Sequence, residues 1–294
     1  MKIAAVIPVR NRPVLLLRAL RSVQAQTYPV SEIIVVDDAS TDETAAVALT
    51  VAENDGRIRV IRLPKRRFVG AARNVAWRST DADWIAFLDS DDEWFPEKTN
   101  RQIGLLAGSN AVACFTGCKS RIDNYVYSPP ETVNLFDLQG LNILHTPSTA
   151  IVRRSALVKV GGFDEHIPTC ADWDLWFKLR RLGEIRVVRE PMIYYDHEGV
   201  DHMSRNFERV LEGHQIMFSR TMSDVRGIIP RSRIKSRHHA RLAQILCDNF
   251  EMPFSALIYS IRSALRWPNG HALYFFRRCL NKLARKAFGS RFLL

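Results

Sequence analysis

Over its first hundred residues the chain alternates short apolar runs with helix-forming stretches, and this order restricts the fold more than any other feature. AAVIPV precedes NRPVLLLRALRSVQAQ, and EIIVVDD precedes a helix opened by ASTDET. RIRVIRL precedes VGAARNVAWRS, and DWIAFLD closes the series. In the first helix Asn11 is a candidate cap, Pro13 sits near the first helical position, and Val14, Leu17 and Val23 suit one buried stripe. Ser40 with Glu43 fits a capping box for the second. A β-α-β-α-β-α-β succession predicts a parallel sheet with helices on both faces. Ligands of such sheets bind beyond the carboxyl ends of the strands.

Two acidic clusters stand at those ends: Asp37-Asp38, and Asp89, Asp91 and Asp92 in FLDSDDEW. Packed like charges repel, so the second cluster is either spread into solvent as a polar turn before a helix near Phe95-Pro96, or held by a cation. Hard ions such as Mg²⁺ or Mn²⁺ take oxygen ligands and share them between carboxylates and substrate phosphates. Asp37-Asp38 either complements the dipole of the following helix or accepts hydrogen bonds from a bound base or ribose. Arg73 and Asn74 either face a phosphate or lie on a solvated helix face. In ADWDLWFKL, Asp172 and Asp174 fit the first turn of an amphipathic helix that packs Trp173, Leu175, Trp176 and Leu179 inward. His145 reads as a structural or solvated residue, and Cys114 and Cys118 as small buried residues.

At 294 residues, 47% of them apolar, the chain has room for one large α/β domain and an appendage. No apolar run is long enough for a membrane-spanning helix. The opening KIAAVIPV reads as a strand, not as a secretory signal. Five cysteines without a C-x-x-C pair fit a reducing cytosol better than a disulfide framework or a zinc site. Of the net charge of +11, none comes from the first 204 residues, which hold 25 Lys/Arg against 26 Asp/Glu. The remainder holds 17 against 5, in a helical pattern interrupted by Pro230, Pro253 and Pro268. Such asymmetry points to an anionic partner. Near the end, HALYFFRRCLNKLARKAF places Leu273, Phe276, Leu280, Leu283 and Ala287 at helical spacing, interleaved with Arg277, Arg278, Lys282, Arg285 and Lys286. That composition suits a helix in an anionic membrane interface, or a helix packed on the body with a solvated basic face. Nucleic acid is not an expected partner, because no binding module accompanies the charge.

Taken in order, VIPVRNRP, VVDDASTDET, GAARNVAW, FLDSDDEWFPEK, GGFDE and ADWDLWFKL resemble the motifs of glycosyltransferase family 2, inverting enzymes of the GT-A fold, over roughly residues 2–204. The resemblance implies a Rossmann-like α/β domain, a mainly parallel sheet flanked by helices, over 1–204, leaving a basic helical region over 205–294. It implies metal-dependent transfer of a sugar from a UDP-, GDP- or dTDP-sugar to a hydroxyl of a carbohydrate or lipid-linked acceptor. Cell-surface polysaccharide or glycolipid synthesis, in the cytoplasm or on the inner face of the cell membrane, is the implied setting. Pro8, Arg10, Asp37 or Asp38, Arg73, Asp89 and Ser90 would contact the nucleotide-sugar. Asp89 and Asp91 would hold Mn²⁺ or Mg²⁺, with His197 or His202 closing the metal-diphosphate site. Asp172 matches the catalytic base; the family usually has Glu-Asp there, whereas this chain has Ala171-Asp172.

The residue types suit that chemistry. Attack by a hydroxyl on an anomeric carbon needs a base for its proton and positive charge for the departing diphosphate, with no covalent intermediate. A sugar-nucleotide pyrophosphorylase of similar fold is the first rival, but it calls for a Gly-rich phosphate loop after the first strand, and VIPVRNRP has no glycine. A non-enzymatic protein of that fold, acting through its basic tail, is the second.

Overall fold

The structure, a computed structural model, describes residues 1–196, 206–248, 250–267 and 270–288. The chain divides into two compact units. The first is built on strands β1 (Ile3–Val9), β2 (Glu32–Asp37), β3 (Ile58–Arg62) and β4 (Trp84–Phe87), joined by α1 (Pro13–Gln24), α2 (Thr44–Glu53) and α3 (Phe68–Arg78). There follow β5 (Glu93–Trp94), α4 (Lys98–Leu106), β6 (Ala113–Ser120), β7 (Val126–Tyr127) and α5 (Leu135–Gly140). A 3₁₀ turn at Pro147–Thr149, β8 (Ile151–Arg153), α6 (Arg154–Val160), α7 (Ala171–Leu182) and β9 (Ile185–Tyr195) complete this part of the chain.

One sheet runs β3-β2-β1-β4-β8-β6-β9-β5, with β7 added on β6. Its first four strands are parallel, as the alternation predicts. Beyond β4 the sheet is mixed: β8 is antiparallel to both β4 and β6, while β9 runs parallel to β6. The change comes past Phe87, where β8 enters between β4 and β6. All seven residues of β1 are buried, as a strand covered on both faces requires. Ile3, Ile7, Leu16, Leu20, Val35 and Trp84 belong to the main core.

Several local expectations are corrected. The buried stripe of α1 is Leu16, Leu20 and Val23, while Val14 is 78% exposed; the inward face is rotated by about half a turn from that residue. Arg12, not Asn11, is the cap position of α1. Asn11 has φ +51° and accepts a bond from Thr41 N instead (2.9 Å). The Ser40–Glu43 capping box does not form. Ser40 Oγ accepts from Asn11 N (3.0 Å), and Asp42 Oδ1 accepts from Thr44 N (2.9 Å) at the start of α2.

The second unit contains α8 (Phe207–Ser223), α9 (Ile228–Asp248), α10 (Pro253–Arg266) and α11 (Gly270–Phe288), with Phe136–Asn142 and Pro168–Cys170. The two short segments are tied in by polar contacts. Thr221 Oγ1 donates to Gln139 O (2.8 Å), Arg237 pairs with Asp137 (2.9 Å), and Thr169 Oγ1 donates to Arg209 O (3.0 Å). Pro230 and Pro253 fall in the first turns of α9 and α10, where a missing N–H leaves no bond unmade. Leu246, Cys247, Ala256 and Cys279 form the small core. In α11 the buried residues are Phe275 and Cys279, with Leu273 exposed and Phe276, Leu280 and Leu283 half-buried. The side chains of Arg285, Lys286 and Ala287 lie outside the described residues.

Candidate active site

Strand register brings the acidic clusters to one edge. Val9 lies beside Asp37 and Val6 beside Phe87, so β1, β2 and β4 end together. Asp38 N donates to Val9 O (2.9 Å) and Leu88 N to Val6 O (3.0 Å), carrying the pairing past the strand ends. Pro8 is buried within β1 beside Val36. Arg10 follows at the strand end, half-buried, with its Nε enclosed and without a hydrogen-bond partner among the described residues.

Asp37 is buried; its Oδ1 accepts from Ser40 N (3.0 Å) and its Oδ2 lies 3.4 Å from Arg62 Nε. Both oxygens of Asp38 take backbone N–H groups at the start of α3, from Arg67 (2.6 Å) and Phe68 (2.8 Å). Asp38 therefore caps a helix from a neighbouring strand end, which complements the helix dipole. A ligand reaching this edge meets two carboxylates that are already fixed in direction.

FLDSDDEW folds as a tight turn, with Asp92 N donating to Asp89 O (3.0 Å). Each carboxylate of D-x-D meets a guanidinium. Arg73 Nη2 donates to Asp89 Oδ1, and Arg12 Nη1 to Asp91 Oδ2 at 2.5 Å. Arg18 Nη2 donates to the Asp91 carbonyl (2.6 Å). Ser90 is buried between the two aspartates. Asp92 is 1% exposed; its Oδ1 accepts from Asp196 N (3.0 Å) and its Oδ2 from Thr146 Oγ1 (3.4 Å). Burial, then the charges of Asp91 and Asp89, push the Asp92 carboxyl well above the usual range. The cluster is held inward rather than scattered into solvent.

Arg73 and Asn74 are both buried on α3. Asn74 clamps GGFDE: its Nδ2 donates to Phe163 O (2.8 Å) and Glu165 Oε1 (2.9 Å), and its Oδ1 accepts from Phe163 N (3.0 Å). That leaves Arg73 as the α3 residue turned to the carboxylates. At the start of α7, burial lifts the Asp172 carboxyl above its ordinary value. A backbone hydrogen bond from Trp173 and the Arg73 charge oppose this, and Asp89 adds to it. Asp172 thus shares an electrostatic neighbourhood with the D-x-D turn. Asp174 is engaged elsewhere, with Lys178 at 2.6 Å one turn along its own helix. His197 and His202 lie outside the described residues.

Sequence reasoning missed the groups that hold the turn. Asp89 N donates to Ser148 Oγ (2.9 Å), and Trp94 Nε1 donates to Ser148 O (3.1 Å). Gln102 Nε2 donates to Thr149 O (3.0 Å) and Cys114 O (2.6 Å), and its Oε1 accepts from the buried Lys98 Nζ (2.7 Å). Lys98 Nζ also lies 4.3 Å from the Trp94 ring centroid. Burial lowers the Lys98 pKa to about 7. The only local signal was the polar residues of FPEKTNRQ within an otherwise apolar surrounding; for TPST there was none.

Among the described residues no three His, Cys, Asp or Glu side chains gather into a ligand set. The oxygens of Asp89 and Asp91 are hard donors of the kind a divalent ion shares with phosphate and water, and here Arg73 and Arg12 are paired with them. The donor set is all oxygen, which disfavours a soft-metal site.

Residues 4–165 match the family described as Glycosyl transferase family 2. An uncharacterized glycosyltransferase of Rickettsia prowazekii is 30% identical over 209 residues, covering 67% of this chain and 61% of its own length. This chain thus spans about three fifths of that relative. TuaG of Bacillus subtilis, a glycosyltransferase assigned to teichuronic acid biosynthesis, is 32% identical over 116 residues, 37% of this chain and 46% of TuaG. Among solved structures, TarS 1-349 of S. aureus in complex with UDP-GlcNAc superposes with a TM-score of 0.70 at 17% identity, over 98% of this chain and 92% of that one. The mannosyltransferase PcManGT from Pyrobaculum calidifontis, in complex with GDP-Man and Mn²⁺, gives 0.63 at 17% identity, over 99% and 88%. These structural likenesses establish the GT-A fold, and with the match over residues 4–165 the chain belongs to glycosyl transferase family 2.

Proposed function

We propose that the chain is an inverting, divalent-cation-dependent glycosyltransferase that moves a sugar from a nucleotide-diphosphate donor to a hydroxyl of a carbohydrate or lipid-linked acceptor. The observation that supports this most is the convergence of Asp37-Asp38, the D-x-D turn with its two arginines, and Asp172 at one end of the sheet. Asp37 and Asp38 border the place for the nucleoside. Arg12 and Arg73 stand at the charged turn where a diphosphate leaves, and Arg10 follows β1 with its Nε enclosed. When bound by Asp89 and Asp91, Mn²⁺ or Mg²⁺ supplies positive charge against the developing diphosphate. Asp172 takes the proton of the acceptor hydroxyl. That oxygen forms its bond to the anomeric carbon as the carbon–oxygen bond to the diphosphate breaks, giving inversion without a covalent intermediate. UDP-GlcNAc and GDP-Man in the two structural relatives support a nucleotide-sugar donor, and the TuaG relationship supports cell-surface polysaccharide synthesis. The basic region after residue 204 is proposed to bring the enzyme to an anionic membrane surface, on the inner face of the cell membrane.

Calorimetric titration with UDP and GDP, with and without Mn²⁺, tests the donor site. Binding by the intact chain should require the ion, and Asp91→Ala should weaken it and abolish measurable transfer, since metal charge stabilisation is worth several kcal/mol. Full-strength binding in EDTA would overturn the metal-dependent reading.

A further inference from the structure

Helix α10 carries a second apolar face besides the one it packs on the core. Among its inward positions Ala256, Ser260 and Ser263 are small and fully buried. Leu257 and Tyr259 pack on the small core, but four other large apolar residues point outward: Phe254 is 67% exposed, Ile258 38%, Ile261 40% and Leu265 81%. These four recur at the i, i+4, i+7, i+11 spacing of a single helix face. A helix of a water-soluble protein turns such a stripe to the core. Here the inward serines are satisfied locally: Ser260 Oγ donates to Ala256 O (3.0 Å) and Ser263 Oγ to Ser236 O (2.8 Å) on α9. Small residues with interhelical hydroxyl bonds allow close helix approach, and Leu257 and Tyr259 supply the apolar contact to the core. The outward stripe is therefore not needed for packing among these helices.

Charge supplies the second observation. From Pro253 to Leu294 the chain has eight Lys/Arg and no Asp or Glu. Arg262 and Arg266 are exposed beside the apolar stripe. Arg278 pairs with Asp248 at 2.9 Å and Lys282 lies 3.9 Å from the same carboxylate, so those two are partly neutralised within the unit. We propose that the outward face of α10 docks on an anionic lipid surface, with Phe254, Ile258, Ile261 and Leu265 entering the headgroup boundary and Arg262 and Arg266 meeting lipid phosphates. A nucleic acid has no apolar phase for the stripe. A second copy of the chain would bring the same positive charges against themselves. No helix among the described residues is long and apolar enough to cross a membrane, so the contact is interfacial. The proposal rests on the membrane-facing reading of the C-terminal region, moves its centre from the last helix to α10, and is independent of the catalytic site.

Sedimentation of the intact chain with vesicles of phosphatidylcholine, with or without phosphatidylglycerol, tests it. Binding should appear with phosphatidylglycerol and weaken with added salt. The double variant Ile261→Ser, Leu265→Ser keeps the net charge and changes only exposed side chains, so its melting curve should match wild type. Its vesicle binding should fall on the order of tenfold through lost apolar burial. Arg262→Gln with Arg266→Gln should reduce the preference for phosphatidylglycerol. If the intact chain ignores anionic vesicles, the membrane reading as a whole is overturned. If it binds them and the Ser double variant binds equally well, α10 is not the docking face. A wild-type dimer in light scattering that the Ser variant converts to monomer would assign the face to a second copy and overturn the lipid proposal.

Discussion

Asp172 and Asp174 are two residues apart on one helix, and their surroundings separate them. Asp174 is buried against Lys178, whereas Asp172 feels Arg73 and Asp89. In the proposed mechanism only Asp172 removes the acceptor proton, so Asp172→Asn should lower turnover about 10²- to 10⁴-fold. That corresponds to about 3 to 5 kcal/mol in the barrier. Donor affinity measured by calorimetry should stay within about twofold, because the lost group acts on the acceptor. Normal turnover by the Asn variant would remove Asp172 from the mechanism. Lys98 gives a residue-level prediction of another kind. Its pKa is lowered to about 7 by burial, against about 10.4 in an unfolded chain. Between those values the unfolded chain binds more protons, so this group makes stability rise with pH across the window and contributes no slope below it. Lys98→Met removes the titration. Urea unfolding from pH 7 to 9 should therefore show a rise in wild type that is smaller in the variant; parallel curves would show that Lys98 does not titrate there.

At the scale of elements, α3 and the turn after α6 form one unit around Asn74. Gly162 has φ +78°, and a Cβ there would lie 2.5 Å from Asn74 Oδ1 and 2.8 Å from Trp77 Nε1. Gly162→Ala combines left-handed strain with overpacking, and should destabilise the fold by about 2 to 4 kcal/mol in urea titration. The same change displaces α3, which carries Arg73, so donor affinity should fall with stability. A Gly162→Ala protein as stable as wild type would mean that the GGFDE turn moves freely and does not anchor α3. This clamp ties GGFDE to α3: Glu165 holds Asn74 and Arg67, and the Phe163 ring centroid lies 5.1 Å from the Arg73 guanidinium. Hydrogen bonds from Asn74 and Arg67 and the charges of Arg67 and Arg78 outweigh burial and keep the Glu165 carboxyl below its ordinary range.

Across the whole molecule none of the five cysteines forms a disulfide, and four of them are buried. Burial pushes the thiols of Cys114, Cys118 and Cys279 up to about 12. Since the thiolate is the reactive form, an aromatic disulfide reagent should modify one thiol quickly in the native protein, Cys170, and all five in denaturant. Cys170→Ser should remove the fast phase. A native protein that reacts quickly at two or more positions would contradict the described packing of Cys247 and Cys279 in the second unit or of Cys114 and Cys118 in the first.

The parallel half of the sheet was legible in the amino-acid order because strands covered on both faces need unbroken apolar runs, and AAVIPV, EIIVVD and WIAF are such runs. The acidic clusters were legible as a strand-end site for the same reason, and the ordered motifs indicated the family. Periodicity did not settle which face of a helix turns inward. Leu16 and Leu20 displaced Val14 and Leu17 in α1, and α10 buries Ser260 and Ser263 while exposing Leu265, Ile258 and Ile261. Nor did it reveal which groups meet the carboxylates. Ser148 reaches Asp89 across 59 residues, and Arg12 reaches Asp91 across 79. Local sequence sets φ, ψ preferences and the period of burial over a few turns. Contacts at such separations exist only once the strand order is set, and the insertion of β8 between β4 and β6 is a tertiary event that places Ser148 beneath the D-x-D turn.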